Sequence, residues 1–223
     1  VELRQGVFYE GKFRYREFNS GNKGEETWFD LQSAKEMDQY VETACHLAGK
    51  LGEQTVFFLP DKPSTEGLAR QLTRALNLDP AHGALAEMNS LEESVSREML
   101  LQTLQNGIAV HNADLSWEER DIIERYTRSG EIRVLCTTST LAVGLNLPVK
   151  NAVIAPKRWK TFGKTREVMP VNLTVSEYEN MGGRVARYGY ISDFGRAVFV
   201  THSFVNSKFY YDHYACGSLE DFA

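Results

Sequence analysis

Cysteine is scarce in this chain: Cys45, Cys136 and Cys216 are widely spaced in 223 residues. Three such thiols exclude a disulfide framework and a cysteine-based metal site. They fit a reduced compartment, so the expected location is cytoplasmic, or nuclear in a eukaryote. No apolar run approaches the roughly 20 residues needed to cross a bilayer, so no membrane partner is expected. The charged-then-apolar start of an export signal is missing, and the first residue is Val rather than Met. The sequence is therefore expected to be a piece of a longer chain. No internal repeat or low-complexity tract occurs. A formal net charge of −5 lends no global support to nucleic-acid binding. What remains is an ordinary folded composition, 42% apolar and 25% charged, long enough for one domain with a full core.

Hydrophobic period and capping residues order the chain into elements. Gly6 to Asn19 alternates around Glu10-Gly11-Lys12 and predicts a hairpin, followed by a polar loop over Gly21 to Gly24. Met37, Val41, Ala44, Ala48 and Leu51 recur at helical spacing and predict a long helix from Leu31 to Leu51. Thr55 to Leu59 reads as a fully buried strand, with a helix near Glu66 to Leu76 and a loop over Asp79 to Gly83. Ser90 with Glu93, Ser116 with Glu119, and Thr174 with Glu177 each have the spacing of a capping box. These open helices reaching about Leu104, reaching about Ser129, and following Thr174. Further strands are expected at Gly107 to Val110, Ile132 to Cys136, Asn151 to Ala155 and Arg196 to Thr201. Strands alternating with helices of ten or more residues predict an α/β fold, a parallel sheet with helices on both faces. Phe204, Phe209, Tyr210, Tyr211 and Tyr214 form an aromatic tail that either packs back or leads to a further region.

Two segments carry chemistry. Val134 to Pro148 breaks from a buried strand into Thr137-Thr138-Ser139-Thr140, then Gly144 and Asn146. Hydroxyls and free N–H groups at a strand end are where parallel sheets bind phosphates. The same residues would also serve as an ordinary polar loop with capping hydroxyls. In the helix after Thr174, Tyr178, Met181 and Val185 share one face, and Asn180, Arg184 and Arg187 the opposite one. Two arginines three residues apart need an anion between them, and a triphosphate suits their planar forks. A surface pair salted to Glu177 or Glu179 is the plainer alternative. Gly182-Gly183 removes bulk beside them, so that another backbone or a ligand approaches closely. Lys157, Arg158, Lys160, Lys164 and Arg166 make a local basic cluster interleaved with Trp159 and Phe162. That suits a solvated loop, a phosphate backbone or a partner domain. His111 ends its strand on the same expected sheet edge as Pro60 and Thr137, and serves either structure or a ligand.

Gly107-Ile108-Ala109-Val110-His111-Asn112-Ala113-Asp114-Leu115, the acidic-arginine helix at Glu118-Glu119-Arg120, the opening segment, and Asn180-Met181-Gly182-Gly183-Arg184-Val185-Ala186-Arg187 stand in order. Together they resemble the second, C-terminal RecA-like domain of superfamily two ATP-dependent helicases, nearest the Ski-like branch and related to the DEAD/DEAH-box proteins. The likeness covers roughly residues 52–201. It implies a lead-in segment over 1–30, a RecA-like domain over 31–201, and a tail over 202–223 leading to a following region. It further implies that ATP and Mg2+ lie between this domain and a first RecA-like domain of the same parent chain, which holds most of both. Arg184 and Arg187 match the arginine fingers. Thr138 and Ser139 match residues on a nucleic-acid phosphate, and His111 one beside the bound RNA or DNA strand. Gly144, Asn146 and Asn180 match positions near the nucleotide.

Departures from the family pattern are Asn180 for Gln, Ala186 for Gly, Asn112 for His and Asp114 for Gly. The chain also contains neither G-x-x-x-x-G-K-[ST] nor D-E-x-[DH]. It is therefore expected to be inactive alone in ATP hydrolysis and unwinding. The competing expectations are a degenerate helicase-fold module binding nucleic acid or protein without ATP coupling, and an unrelated doubly wound phosphate-binding domain.

Overall fold

The computed structural model describes residues 2–138, 149–162, 167–183 and 193–217. Eight strands form one sheet in the order β3-β2-β1-β10-β7-β4-β6-β5. Its centre is β4 (Thr55–Leu59), flanked by β7 (Asn151–Ile154) and β6 (Val134–Thr138), with β5 (Ile108–His111) at one edge. On the other side β10 (Phe194–Val200) leads to β1 (Glu2–Tyr9). All strands from β1 to β5 in this order are parallel. β2 (Lys12–Glu17) and β3 (Lys23–Thr27) extend the sheet antiparallel. All five residues of β4 are buried, as a strand covered on both faces requires.

Glu10 and Gly11, with φ of 45° and 73°, turn β1 into β2. Positive φ at both central residues is what a two-residue hairpin loop needs, and glycine supplies it without strain. The polar loop expected at Gly21 to Gly24 is corrected in part: from Lys23 the chain is β3. Its residues are half to fully exposed, so no apolar alternation marks it as a strand.

The helix expected over Leu31 to Leu51 is shorter. It is α1 (Glu36–Ala44), continued by a π-helical segment Cys45–Lys50. α2 (Lys62–Ala75) starts four residues earlier than expected, because Asp61 accepts the Ser64 N–H at 2.8 Å and caps it. The loop expected at Asp79 to Gly83 leads into a helix not foreseen, α3 (His82–Asn89). Ser90 closes α3 instead of opening the next helix, its hydroxyl donating to the Glu87 carbonyl at 2.6 Å. The true cap of α4 (Val95–Leu104) is Ser94, which accepts the Arg97 N–H at 3.0 Å. The boxes at Ser116/Glu119 and Thr174/Glu177 form as read, and open α5 (Trp117–Ser129) and α6 (Val175–Gly182).

From β4 the chain crosses by α2, α3 and α4 to β5, then returns by α5 to β6 between them. Right-handed crossovers in opposite directions put α2 and α5 on opposite faces of the sheet. The chain leaves β4 toward β5 but leaves β7 toward β10. The carboxyl ends of these neighbours thus form a switch point, where open α/β sheets bind ligands.

The described part of the basic cluster is no loop: it is β8 (Lys157–Phe162), which pairs antiparallel with β9 (Glu167–Asn172) outside the main sheet, just after β7. Beyond β10, α7 (Phe204–Tyr210) runs into a π-helical turn, Tyr211–Ala215. Tyr210 and Tyr214 of this aromatic stretch pack back on Phe199, with centroids 4.9 Å away in both cases.

The amino edge of the sheet holds a buried ion network. Arg196 donates to Glu26 Oε2 at 2.9 Å, Glu53 Oε2 at 2.7 Å and Asn151 Oδ1 at 3.0 Å. Arg4 reaches Glu26 Oε1 at 2.9 Å, and the Trp28 N–H adds a third donor to Glu26 at 3.1 Å. Burial pushes the Glu26 carboxyl up, but these donors outweigh it and hold it below the usual carboxylate value.

Candidate functional site

The carboxyl edge is assembled by register. Leu59 at the end of β4 pairs with Thr138 at the end of β6, and Thr137 pairs with His111 at the end of β5. Thr138 is half-buried, at the mouth of this edge. Ser139, Gly144 and Asn146 lie outside the described residues, as do Lys164, Arg166, Arg184 and Arg187.

His111 is 2% exposed, and its Nε2 faces Glu124 Oε1 of α5 at 3.3 Å. Its Nδ1 is buried without a hydrogen-bond partner among the described residues. Burial lowers the imidazole pKa, and Glu124 opposes the shift without cancelling it. The ring is buried at the strand end with Nε2 facing Glu124, and its surroundings favour the neutral form. Asn112 Oδ1 accepts the Asp114 N–H at 3.0 Å and shapes the next loop. Asp114, a departure unfavourable beside phosphate, pairs with Lys62 in the first turn of α2.

Asp61 uses both carboxylate oxygens. Oδ1 caps α2, while Oδ2 accepts the Trp159 indole N–H of β8 at 2.6 Å. Burial pushes its pKa up, but the Ser64 and Trp159 donors prevail and lower it. The hairpin exposes Trp159, Lys160, Phe162, Val168 and Met169. Lys160 Nζ lies 5.3 Å from the Phe162 ring centroid.

On α6, Tyr178, Met181 and Gly182 are buried, and Asn180 is exposed one turn after Glu177. The space expected at Gly182 for another backbone or a ligand is taken by the chain's own sheet. A Cβ there would stand 3.0 Å from Ala197 Cβ of β10 and 3.6 Å from Leu3 Cδ2. Glycine here lets the helix lie close on the strands, which aims its end. Glu177 meets Thr174 N–H at 2.8 Å and Arg158 Nε at 2.6 Å. Both of its oxygens thus have partners among the described residues.

The structure brings together Thr138, His111, Asp61, Lys62 and the hairpin at one edge. Asp61 and its bond to Trp159, 98 residues away, carried no pairing signal in the sequence; Asp-Lys-Pro-Ser after a buried strand was a readable helix start. Among the described residues, no three of His, Cys, Asp and Glu gather in a group able to hold a metal ion. No helix among them is long and apolar enough to cross a membrane.

Comparison with known proteins gives a consistent result. The family model described as "Helicase conserved C-terminal domain" matches residues 39–189. An "ATP-dependent DNA helicase Hel308" from Pyrobaculum calidifontis is 31% identical over 99% of this chain and 30% of its own length. Its namesake from Pyrococcus abyssi is 30% identical over 99% of this chain and 28% of its own length. A "Helicase POLQ-like" from Drosophila melanogaster is 32% identical over 71% of this chain and 15% of its own length. The chain thus spans less than a third of the length of each of these relatives.

Proposed function

Since this chain belongs to the helicase conserved C-terminal domain family, of superfamily two, we propose that it is the C-terminal motor domain of an ATP-dependent nucleic-acid helicase. The observation that carries this reading is the family match over residues 39–189, which contains every segment with readable chemistry. In this reading the nucleotide and its Mg2+ are held mainly by a first RecA-like domain of the parent chain. Arg184 and Arg187 reach across as arginine fingers and stabilise charge on the phosphoryl group in the transition state. Asn180, Gly144 and Asn146 line the nucleotide side.

Thr138 and Ser139 grip a phosphate of the strand, a contact that positions it without reading sequence. His111, buried against Glu124, steadies the end of β5 beside that strand. The relatives' names supply DNA as the strand, and the same backbone contacts would serve RNA. On this reading residues 202–223 lead toward the next domain, and the chain by itself neither hydrolyses ATP nor unwinds a duplex.

The test is ATP turnover by the full-length parent protein with and without a nucleic-acid strand. Arg184→Ala should cut strand-stimulated turnover by about a thousandfold, with the melting curve unchanged. Wild-type-like turnover of that variant would remove the finger assignment. Ala186 and Asn180, where the family has Gly and Gln, favour one second reading: a module that binds nucleic acid or protein without ATP coupling. A parent protein that binds a strand but shows no stimulated turnover would establish that reading instead.

A further inference from the structure

Arg158 and Trp159 are consecutive on β8, so their side chains leave opposite faces of the strand. Each finds a carboxylate that starts a helix. Asp61 gives Oδ1 to the Ser64 N–H of α2 and Oδ2 to the Trp159 N–H, at 2.8 and 2.6 Å. Glu177 gives Oε2 to the Thr174 N–H at the start of α6, and its Oε1 lies 2.6 Å from Arg158 Nε. The latter is a close ion pair rather than an aligned hydrogen bond. Both carboxylates thus divide their oxygens between their own helix and the hairpin. Among the described residues the hairpin pairs with no other strand, and its base is closed by the Leu173 N–H on the Pro156 carbonyl at 3.0 Å.

We infer that Arg158 and Trp159 are positioning residues that lock the β8–β9 hairpin to the starts of α2 and α6, so that a movement of these helices driven by ATP turnover carries the hairpin with it. This rests on the motor-domain reading. The geometry suits transmission. α2 begins at the switch point of the sheet, α6 ends at Gly182, and β8 bridges the two helix starts, by a hydrogen bond to the Asp61 carboxylate and by a close ion pair to that of Glu177.

The test uses the full-length parent protein carrying Trp159→Phe, Arg158→Gln, or both, with Arg158→Lys as the conservative control. Strand-stimulated ATP turnover and duplex opening are measured together, with hydrogen exchange over residues 157–172. Turnover should stay near wild type, while base pairs opened per ATP fall about tenfold in the double variant, a loss on the scale of one hydrogen bond to a charged group. Exchange in the hairpin should rise by a similar factor, and Arg158→Lys should restore most of the ratio.

Unchanged exchange in the double variant would overturn the lock. Faster exchange with an unchanged ratio, including equal loss of turnover and opening, would overturn the transmission. A Trp159→Phe ratio equal to wild type would overturn the part assigned to the indole N–H. A wild-type parent without stimulated turnover sinks the motor reading, and the transmission with it, while the exchange measurement still judges the lock.

Discussion

At the amino edge of the sheet, Arg196 is 5% exposed and meets Glu26, Glu53 and Asn151; at the carboxyl edge, Asp61 and Glu177 hold a hairpin that faces solvent. Both edges gather opposite charges from distant parts of the chain. Their partners differ. Arg196 spends its guanidinium on groups that are themselves largely covered, so the network closes on itself and fastens β3, β7 and β10 together. The carboxyl edge ties its own loops yet leaves Trp159, Lys160 and Phe162 exposed. A cluster of charge therefore points to a ligand only where accessible groups remain after internal pairing is complete.

The sharpest way to break this comparison is Arg196→Met. It leaves Glu26 and Glu53 without their main cation in a covered site, and should cost about 3–5 kcal/mol of stability. The midpoint of denaturant unfolding reads this directly. A loss below about 1 kcal/mol would place the amino edge in the same class as an exposed ion pair. Asp61→Ala at the carboxyl edge should cost about 1 kcal/mol, the usual value of a lost N-cap. A cost matching that of Arg196→Met in the same unfolding series would mean the two edges do not differ as described.

The smallest effect is a pH dependence. Burial holds the His111 pKa below its ordinary value near 6.5. The unfolded chain therefore takes up the proton first on acidification. Stability from the neutral ring is complete above about 6.5, and is lost as pH falls from there through the lower folded value. His46 shifts the same way, chiefly by burial. The comparison is thus wild type against His111→Gln, which should lose stability less steeply below pH 6.5. Parallel curves would show that the His111–Glu124 contact leaves the ring as easily protonated as in water.

What could be read in advance followed the strength of local signals. β4 and α5 stood out because a five-residue apolar run and a capping box at helical period are local facts. The start of α4 is ambiguous in the sequence because Ser90 and Ser94 are both good caps, and contacts from elsewhere decide it: Glu119 accepts the hydroxyls of Ser94 and Ser96 at 2.9 and 2.8 Å. β8 and β9 carry no strand signal in the sequence, since their exposed residues show no alternation and pairing alone makes them strands. His111 was legible as a strand-end residue but not as an inward one, since Glu124 reaches it from a different element.

The sequence by itself determined the α/β class, most elements, and the family through motifs held in order along the chain. These depend on spacing and period, which are properties of neighbours. The tertiary structure alone decided that Arg196 closes a buried network, that His111 is buried against Glu124, and that Asp61 and Glu177 each share an oxygen with β8. Hydrogen bonds and ion pairs act over about 3 Å between residues as far as 170 positions apart, so only the folded chain brings their partners within reach.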